Sequence, residues 1–148
     1  MYGYNGRALF VNLTSKSHWT EEITARTFKK FLGGTGLGAY FLYKHCPPGI
    51  DPLSPDNPLI FATSPLVGSR LTTSSKFAVV TKSPLTGFIG DSLSSSFMAT
   101  ELKKTGYDVL VLLGRSSHPC LLSITNDEVS FLNGENLWGM GTRDTESL

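Results

Sequence analysis

Ser75-Lys76-Phe77-Ala78-Val79-Val80-Thr81-Lys82-Ser83-Pro84-Leu85-Thr86-Gly87-Phe88-Ile89-Gly90 is the run on which the fold turns. Lys76 to Lys82 is apolar and β-branched between two lysines, and it reads as a buried strand. Pro84-Leu85-Thr86-Gly87 reads as a tight turn with proline at its second or an adjacent position. The next stretch, Ile89-Gly90-Asp91-Ser92-Leu93-Ser94-Ser95-Ser96, reads as a small polar loop. It opens a helix expected over Ser94 to Lys104, with Gly106 as its stop.

Outward from this run, the chain alternates short strands and short helices. Arg7 to Leu13 and Ser17 to Ile23 form an expected antiparallel hairpin around the turn Thr14-Ser15-Lys16-Ser17. Thr24 is the expected N-cap of a helix through Leu32, stopped by Gly33-Gly34. A second helix is expected from about Gly36 to His45, ended by Pro47-Pro48-Gly49. Asp51 to Pro58 is a proline-rich loop, Leu59 to Thr63 a short strand, and Ser64 to Ser74 a loop of small and hydroxyl residues. Tyr107 to Leu113 is nearly continuous in apolar residues and reads as a strand buried on both faces. It is also the segment most prone to mispairing should a neighbouring strand be missing. Cys120 to Thr125 and Val129 to Leu132 form a second expected hairpin around Asn126-Asp127-Glu128. Thr142 to Leu148 reads as the first turn of a further helix. The second hairpin and its helix start echo the first; two unrelated hairpins are the alternative.

Bulk properties bound the function. The 148 residues suit one domain and suffice for a core. With 13 basic and 12 acidic residues there is no basic excess to favour nucleic acid. The N-terminus lacks the pattern of a signal peptide, and no run approaches the roughly 18 apolar residues of a membrane span. A reduced, cytoplasmic protein is expected. Cys46 and Cys120 are the only cysteines. Two thiols so far apart cannot by themselves ligate an iron–sulfur cluster or a structural zinc.

Three motifs carry chemistry. Gly34-Thr35-Gly36-Leu37-Gly38-Ala39 matches a dinucleotide fingerprint, but that fingerprint works between a strand and a helix. Here the preceding segment reads as helix, so a close-packed helix–helix corner is the favoured reading. The loop ending in Ser94-Ser95-Ser96 fits an anion site at a helix N-terminus, and equally an ordinary N-cap by Ser94 or Ser95. Lys76 and Lys82 share one face of their strand. Lys76 fits an anionic ligand, whereas Lys82 reads as a solvated strand end. His18, His45 and His118 show no metal spacing and read as surface residues. No Ser/His/Asp or Cys/His arrangement is supported locally.

A resemblance spans essentially the whole chain. It is carried by Gly6-Arg7, Val11-Asn12-Leu13-Thr14, Phe31-Leu32-Gly33-Gly34 with Gly36-Leu37, and Asp51-Pro52-Leu53-Ser54-Pro55-Asp56-Asn57. Pro65-Leu66-Val67-Gly68, Thr81-Lys82-Ser83-Pro84-Leu85-Thr86-Gly87, Glu101-Leu102-Lys103 with Gly106-Tyr107-Asp108, and Leu137-Trp138-Gly139 continue it. In order and spacing these resemble the N-terminal domain of the tungsten-dependent aldehyde ferredoxin oxidoreductases.

The resemblance implies an α+β fold with mixed and antiparallel sheets and packed helices, built as a duplication. The chain reads as one incomplete domain over 1–148, cut before the second half is complete. The implied activity is oxidation of small aldehydes to carboxylic acids with ferredoxin as acceptor. The implied cofactors are a tungsten or molybdenum bis-pyranopterin with magnesium, and a [4Fe–4S] cluster whose ligands this chain lacks. A basic residue, usually arginine in the family, stands where Lys76 stands and bridges cluster and pterin. Leu93, Ser94 and Ser95 are implied to lie against the cofactor, partly through main-chain groups. Lys76 keeps the charge but loses arginine's planar fork. Leu93 and Ser95-Ser96 replace an asparagine and glycines that the family often has. The catalytic groups are expected in the missing part, and the remainder of the enzyme or a second subunit is an expected partner of this chain. The alternative is a non-catalytic remnant of the same fold that acts as a binding module.

Overall fold

The computed structural model describes residues 2–126 and 128–147. Asp127 and Leu148, which figure in the expected second hairpin turn and last helix, lie outside the described residues. Six strands form one mixed sheet in the order β2-β1-β6-β3-β4-β5. They are β1 (Arg7–Asn12), β2 (Ser17–Glu22), β3 (Leu59–Thr63), β4 (Lys76–Lys82), β5 (Ile89–Ser95) and β6 (Val109–Leu113). β1 pairs in parallel with β6, and the other pairings in this sheet are antiparallel. Strands β7 (Cys120–Ile124) and β8 (Val129–Asn133) make a separate hairpin.

Period-2 alternation divides the core into two layers. Ala8, Phe10, Ile60, Ala62, Ala78, Val80, Val109 and Val111 point to one face. Helices α1 (Ala25–Phe31) and α2 (Gly34–His45) cover them with Phe28, Leu37, Phe41 and Leu42. On the other face Leu9, Val11 and Leu110 pack with Leu102 of α3 (Phe97–Lys104) and with Leu122, Ile124, Val129 and Phe131 of the second hairpin. This is the expected α+β architecture.

Local signals place most elements. The Asn12 carboxamide accepts the N–H groups of Thr14 and Ser15 at 2.9 and 3.1 Å, which closes the first hairpin. Thr24 caps α1 by accepting from the Thr27 N–H. The glycine corner joins two helices, as expected, because backbone approaches backbone there. A Cβ on Gly33 would lie 2.8 Å from the Thr63 carbonyl oxygen, and one on Gly36 would lie 2.6 Å from that of Phe31.

Four expectations are corrected. The run Ile89 to Ser96 is not a loop: Ile89–Ser95 is edge strand β5, paired with β4 from Lys82↔Ile89 to Lys76↔Ser95. Ser83 drives this hairpin. Its N–H donates to the Phe88 carbonyl at 2.7 Å and its carbonyl accepts from Gly87 at 2.8 Å, so the chain returns along β4. The helix therefore starts at Phe97, and its cap is Ser96, which accepts from the Met98 N–H, rather than Ser94 or Ser95. Second, the segment judged prone to mispairing, Tyr107 to Leu113, is the protected centre: β6 lies between β1 and β3, and the open edges belong to β2 and β5. Third, Lys82 is not a solvated end, since its ammonium donates to the Ile50 carbonyl at 2.5 Å. Fourth, His45 is only partly on the surface, with 20% of its side chain exposed. Its ring stacks on Phe41 and packs against Phe10, with centroids 5.9 and 4.7 Å away.

The echo between hairpins holds in outline. Hairpin β1–β2 leads into α1, and hairpin β7–β8 leads into a 3-10 turn (Glu135–Leu137) and then α4 (Thr142–Glu146). The second hairpin packs on the large sheet through its apolar side chains without joining it.

Candidate cofactor seat

The start of β4, the end of β5 and the first turn of α3 meet around one cavity of about 490 Å³. Thr73, Ser75, Lys76, Ser95, Ser96, Phe97 and Thr100 line it. Hydroxyls stitch its walls together. The Ser75 Oγ donates to the Ser96 carbonyl at 2.7 Å and shares a hydrogen bond with the Thr100 Oγ1 at 2.8 Å. The Ser96 N–H donates to the Ser75 carbonyl at 3.2 Å. Thr73, at the rim, has a φ of 58°. That left-handed backbone is strained for a β-branched residue.

Lys76 faces Ser95 directly across the strand pair. Its side chain is exposed, and among the described residues it enters no ion pair. Cross-strand partners share a face, so Lys76 and Ser95 stand with the pair Ala78 and Leu93 on one side of the hairpin. Ser94 pairs with Phe77 and therefore points to the other side. The structure thus brings Lys76 and Ser95 together at the cavity. It places Leu93 two residues up the same face, outside the lining, and it turns Ser94 away. β5 is an edge strand, so among the described residues its outer backbone groups have no strand partner. Phe97, Thr73, Ser75 and Thr100 were not singled out by sequence. Placing the helix start at Phe97 rather than Ser94 would have exposed Phe97 and Thr100 as its cavity-facing stripe.

A larger groove of about 910 Å³ lies between the end of α2 and the β4–β5 turn. Its two lysines are already engaged: Lys44 pairs with Glu21 at 2.6 Å, and Lys82 bonds to Ile50. The smaller cavity, whose Lys76 enters no ion pair among the described residues, is therefore the better candidate for an anion.

At the last turn of α3 lies a buried charge cluster. Asp108, 1% exposed, accepts from the Lys103 ammonium and from the backbone N–H groups of Asn5 and Gly6, at 2.9 and 2.7 Å. Lys103 also reaches the Ser64 carbonyl at 3.4 Å. The cluster ties α3 to the N-terminal segment and to the loop that leads into β4. Burial, and then the Asp108 charge, push the nearby Tyr4 phenol above its usual range. His45 is shifted the other way: burial lowers its pKa, outweighing the Glu21 carboxylate, while Lys44 adds to the fall.

A family model described as aldehyde ferredoxin oxidoreductase, N-terminal domain, matches residues 8–148. The chain belongs to that family. Among curated relatives of the aldehyde ferredoxin oxidoreductases, the tungsten-containing enzyme of Pyrococcus abyssi is 41% identical over 146 residues, which is 99% of this chain and 24% of the relative. The tungsten-containing enzyme of Pyrococcus horikoshii is 40% identical over the whole chain and 24% of its own length. The aliphatic sulfonate oxidoreductase, WOR-like subunit, of Pyrococcus furiosus is 38% identical over 95% of this chain. Among solved structures, the active site complex BamBC of benzoyl coenzyme A reductase, bound to 1,5-dienoyl-CoA, matches with a TM-score of 0.93 and 36% identity. That match covers 99% of this chain and 22% of the other. The chain thus spans about a quarter of the length of its relatives. Among the described residues, no helix is long and apolar enough to cross a membrane.

Proposed function

We propose that the chain is the cofactor-seating N-terminal part of a cytoplasmic tungsten oxidoreductase that converts aldehydes to carboxylic acids and passes electrons to ferredoxin. The observation that carries this reading is the pairing of Lys76 with Ser95 at the mouth of the hydroxyl-lined cavity. The residues present fit an anionic pterin. Lys76 supplies a point charge, Ser95 and Ser96 supply hydroxyl donors held in place by the Ser75–Thr100 pair, and the outer edge of β5 supplies main-chain groups.

When bound, the tungsten pterin supplies the redox chemistry. This chain's part is to bind, orient and partly shield it. Among the described residues no three His, Cys, Asp or Glu side chains come together as a metal site. In this reading Lys76, Ser95 and the edge of β5 would hold the pterin with its magnesium, and the [4Fe–4S] ligands and the catalytic groups would come from the remainder of the enzyme or a second subunit. Relatives named for aldehyde, sulfonate and benzoyl-CoA chemistry share this domain. That supports a domain that carries the cofactor while other parts select the substrate.

The test uses the tungsten-loaded enzyme that carries this domain. Lys76→Arg should keep metal and pterin content, and Lys76→Glu should lower both, because a carboxylate would face phosphate or thiolate. Equal content in wild type and Lys76→Glu would leave Lys76 an ordinary surface charge and reject the seat. The non-catalytic binding-module alternative predicts no pterin in any of the three.

A further inference from the structure

We infer that Phe97 is the stacking surface of the seat, the residue that makes the cavity select a flat heterocycle carrying an anion over a bare anion. This rests on the cofactor-seat reading and adds a ligand contact to it. Phe97 is the first residue of α3 and is 87% exposed. Its helix is held from the other side. Ala99 is fully buried against Phe77 and Val67, and Leu102 is buried against Leu9 and Leu110. With those two anchored, Phe97 cannot roll into the core.

Phe97 and Thr100 are three residues apart and so lie on one helix face. Both line the cavity. The Thr100 hydroxyl is fixed by Ser75, so the face that carries Phe97 is fixed as well. Lys76 stands on the strand side of the same cavity without an ion pair among the described residues. An aromatic ring on one wall, with an ammonium and the Ser95 hydroxyl on the other, suits a planar, polar ring system with an anionic arm. A bare phosphate would use the ammonium and hydroxyl and leave the phenyl ring in water.

The test is equilibrium dialysis of the full 148-residue chain with 6-hydroxymethylpterin, its phosphate ester, and inorganic phosphate. Wild type should bind the ester most tightly. Phe97→Ala should weaken both pterin probes by roughly 5- to 150-fold, the range that base–aromatic stacking spans. Phe97→Trp should restore them. Phe97→Leu, which keeps apolar area without a ring, should behave like Phe97→Ala. Lys76→Glu should weaken the ester and leave the uncharged pterin nearly unchanged. Circular dichroism confirms that each variant is folded. If Phe97→Ala or Phe97→Leu binds like wild type while Lys76→Glu loses the ester, the stacking role is overturned and the seat survives. If wild type binds no pterin, the seat falls and the stacking role falls with it.

Discussion

Gly38 meets Val80 so closely that a Cβ at Gly38 would lie 2.5 Å from the Val80 Cγ2 and 3.0 Å from its Cβ. Helix α2 rests on β4 at this point, and β4 carries Lys76 at its far end. Gly38→Ala should therefore force the helix off the sheet and cost about 1–3 kcal/mol by overpacking. Val80→Ala in the same chain should recover part of the loss, because it frees the space the new methyl needs. Urea unfolding of the two single variants and the double variant checks this. Strict additivity would count against a direct clash.

Asp108 and Lys103 should not be equivalent. Removing either partner of a buried pair leaves the other uncompensated, at about 3 kcal/mol or more. Asp108 additionally accepts two backbone N–H groups from the N-terminal segment. Asp108→Ala should thus destabilise more than Lys103→Met, and it should also raise amide exchange at Asn5 and Gly6. Hydrogen exchange with denaturant titration tests the order; a larger loss in Lys103→Met would contradict it.

His45 should make stability depend on pH. Among the described residues its imidazole Nε2 is buried without a hydrogen bond, the Glu21 carboxylate standing 3.7 Å away, and burial lowers its folded-state pKa. The unfolded chain then takes up a proton first as pH falls. The stabilisation is complete above about pH 6.5, the ordinary histidine value, and is lost as pH drops from there through the folded-state value. His45→Phe should flatten the acid side of the profile. An NMR titration placing the wild-type imidazole above its ordinary value would reverse the sign.

The glycine corner should bind no dinucleotide. Gly34 to Gly38 lies within a helix that follows another helix, and no strand feeds it. Calorimetry with NAD and NADP should give no binding heat; a saturating isotherm would refute the assignment.

The purified chain should turn over no aldehyde, even when supplied with tungsten and pterin. Its cavity opens to solvent, and a bis-pterin metal centre needs cover on several sides to exclude water. The assay is viologen reduction with a panel of aldehydes, and sustained colour above the protein-free blank would overturn the expectation.

The central strands were legible because their signals are local. β6 is an unbroken apolar run, β4 is β-branched and apolar between two lysines, and β1 is apolar between Arg7 and Asn12. Thr24 and Gly33-Gly34 announce the limits of α1. β5 was not legible: glycine, aspartate and serine are poor strand formers, and an edge strand exposed along most of its length shows no period-2 contrast. What makes it a strand is the row of β4 backbone groups beside it, which lies outside any local window. The same limit hid Phe97, whose exposure depends on where the helix starts. It also hid His45, whose burial depends on Phe10 from β1 and Phe41 from α2. Asp108 and Lys103 stand five residues apart, yet nothing local says that one carboxylate will also collect the N–H groups of Asn5 and Gly6.

The parallel pairing of β1 with β6 sets the order in which this domain can form. The strands it joins lie about a hundred residues apart, so their contact must close a long loop before it yields any stabilisation. During synthesis the first hairpin leaves the ribosome early and waits, with Leu9 and Val11 facing water, until Val109 to Leu113 emerge. Folding is therefore gated late, by a strand that inserts into the middle of the sheet rather than adding to its end. A pause in translation, or a chaperone holding the nascent chain, would act most strongly in that interval.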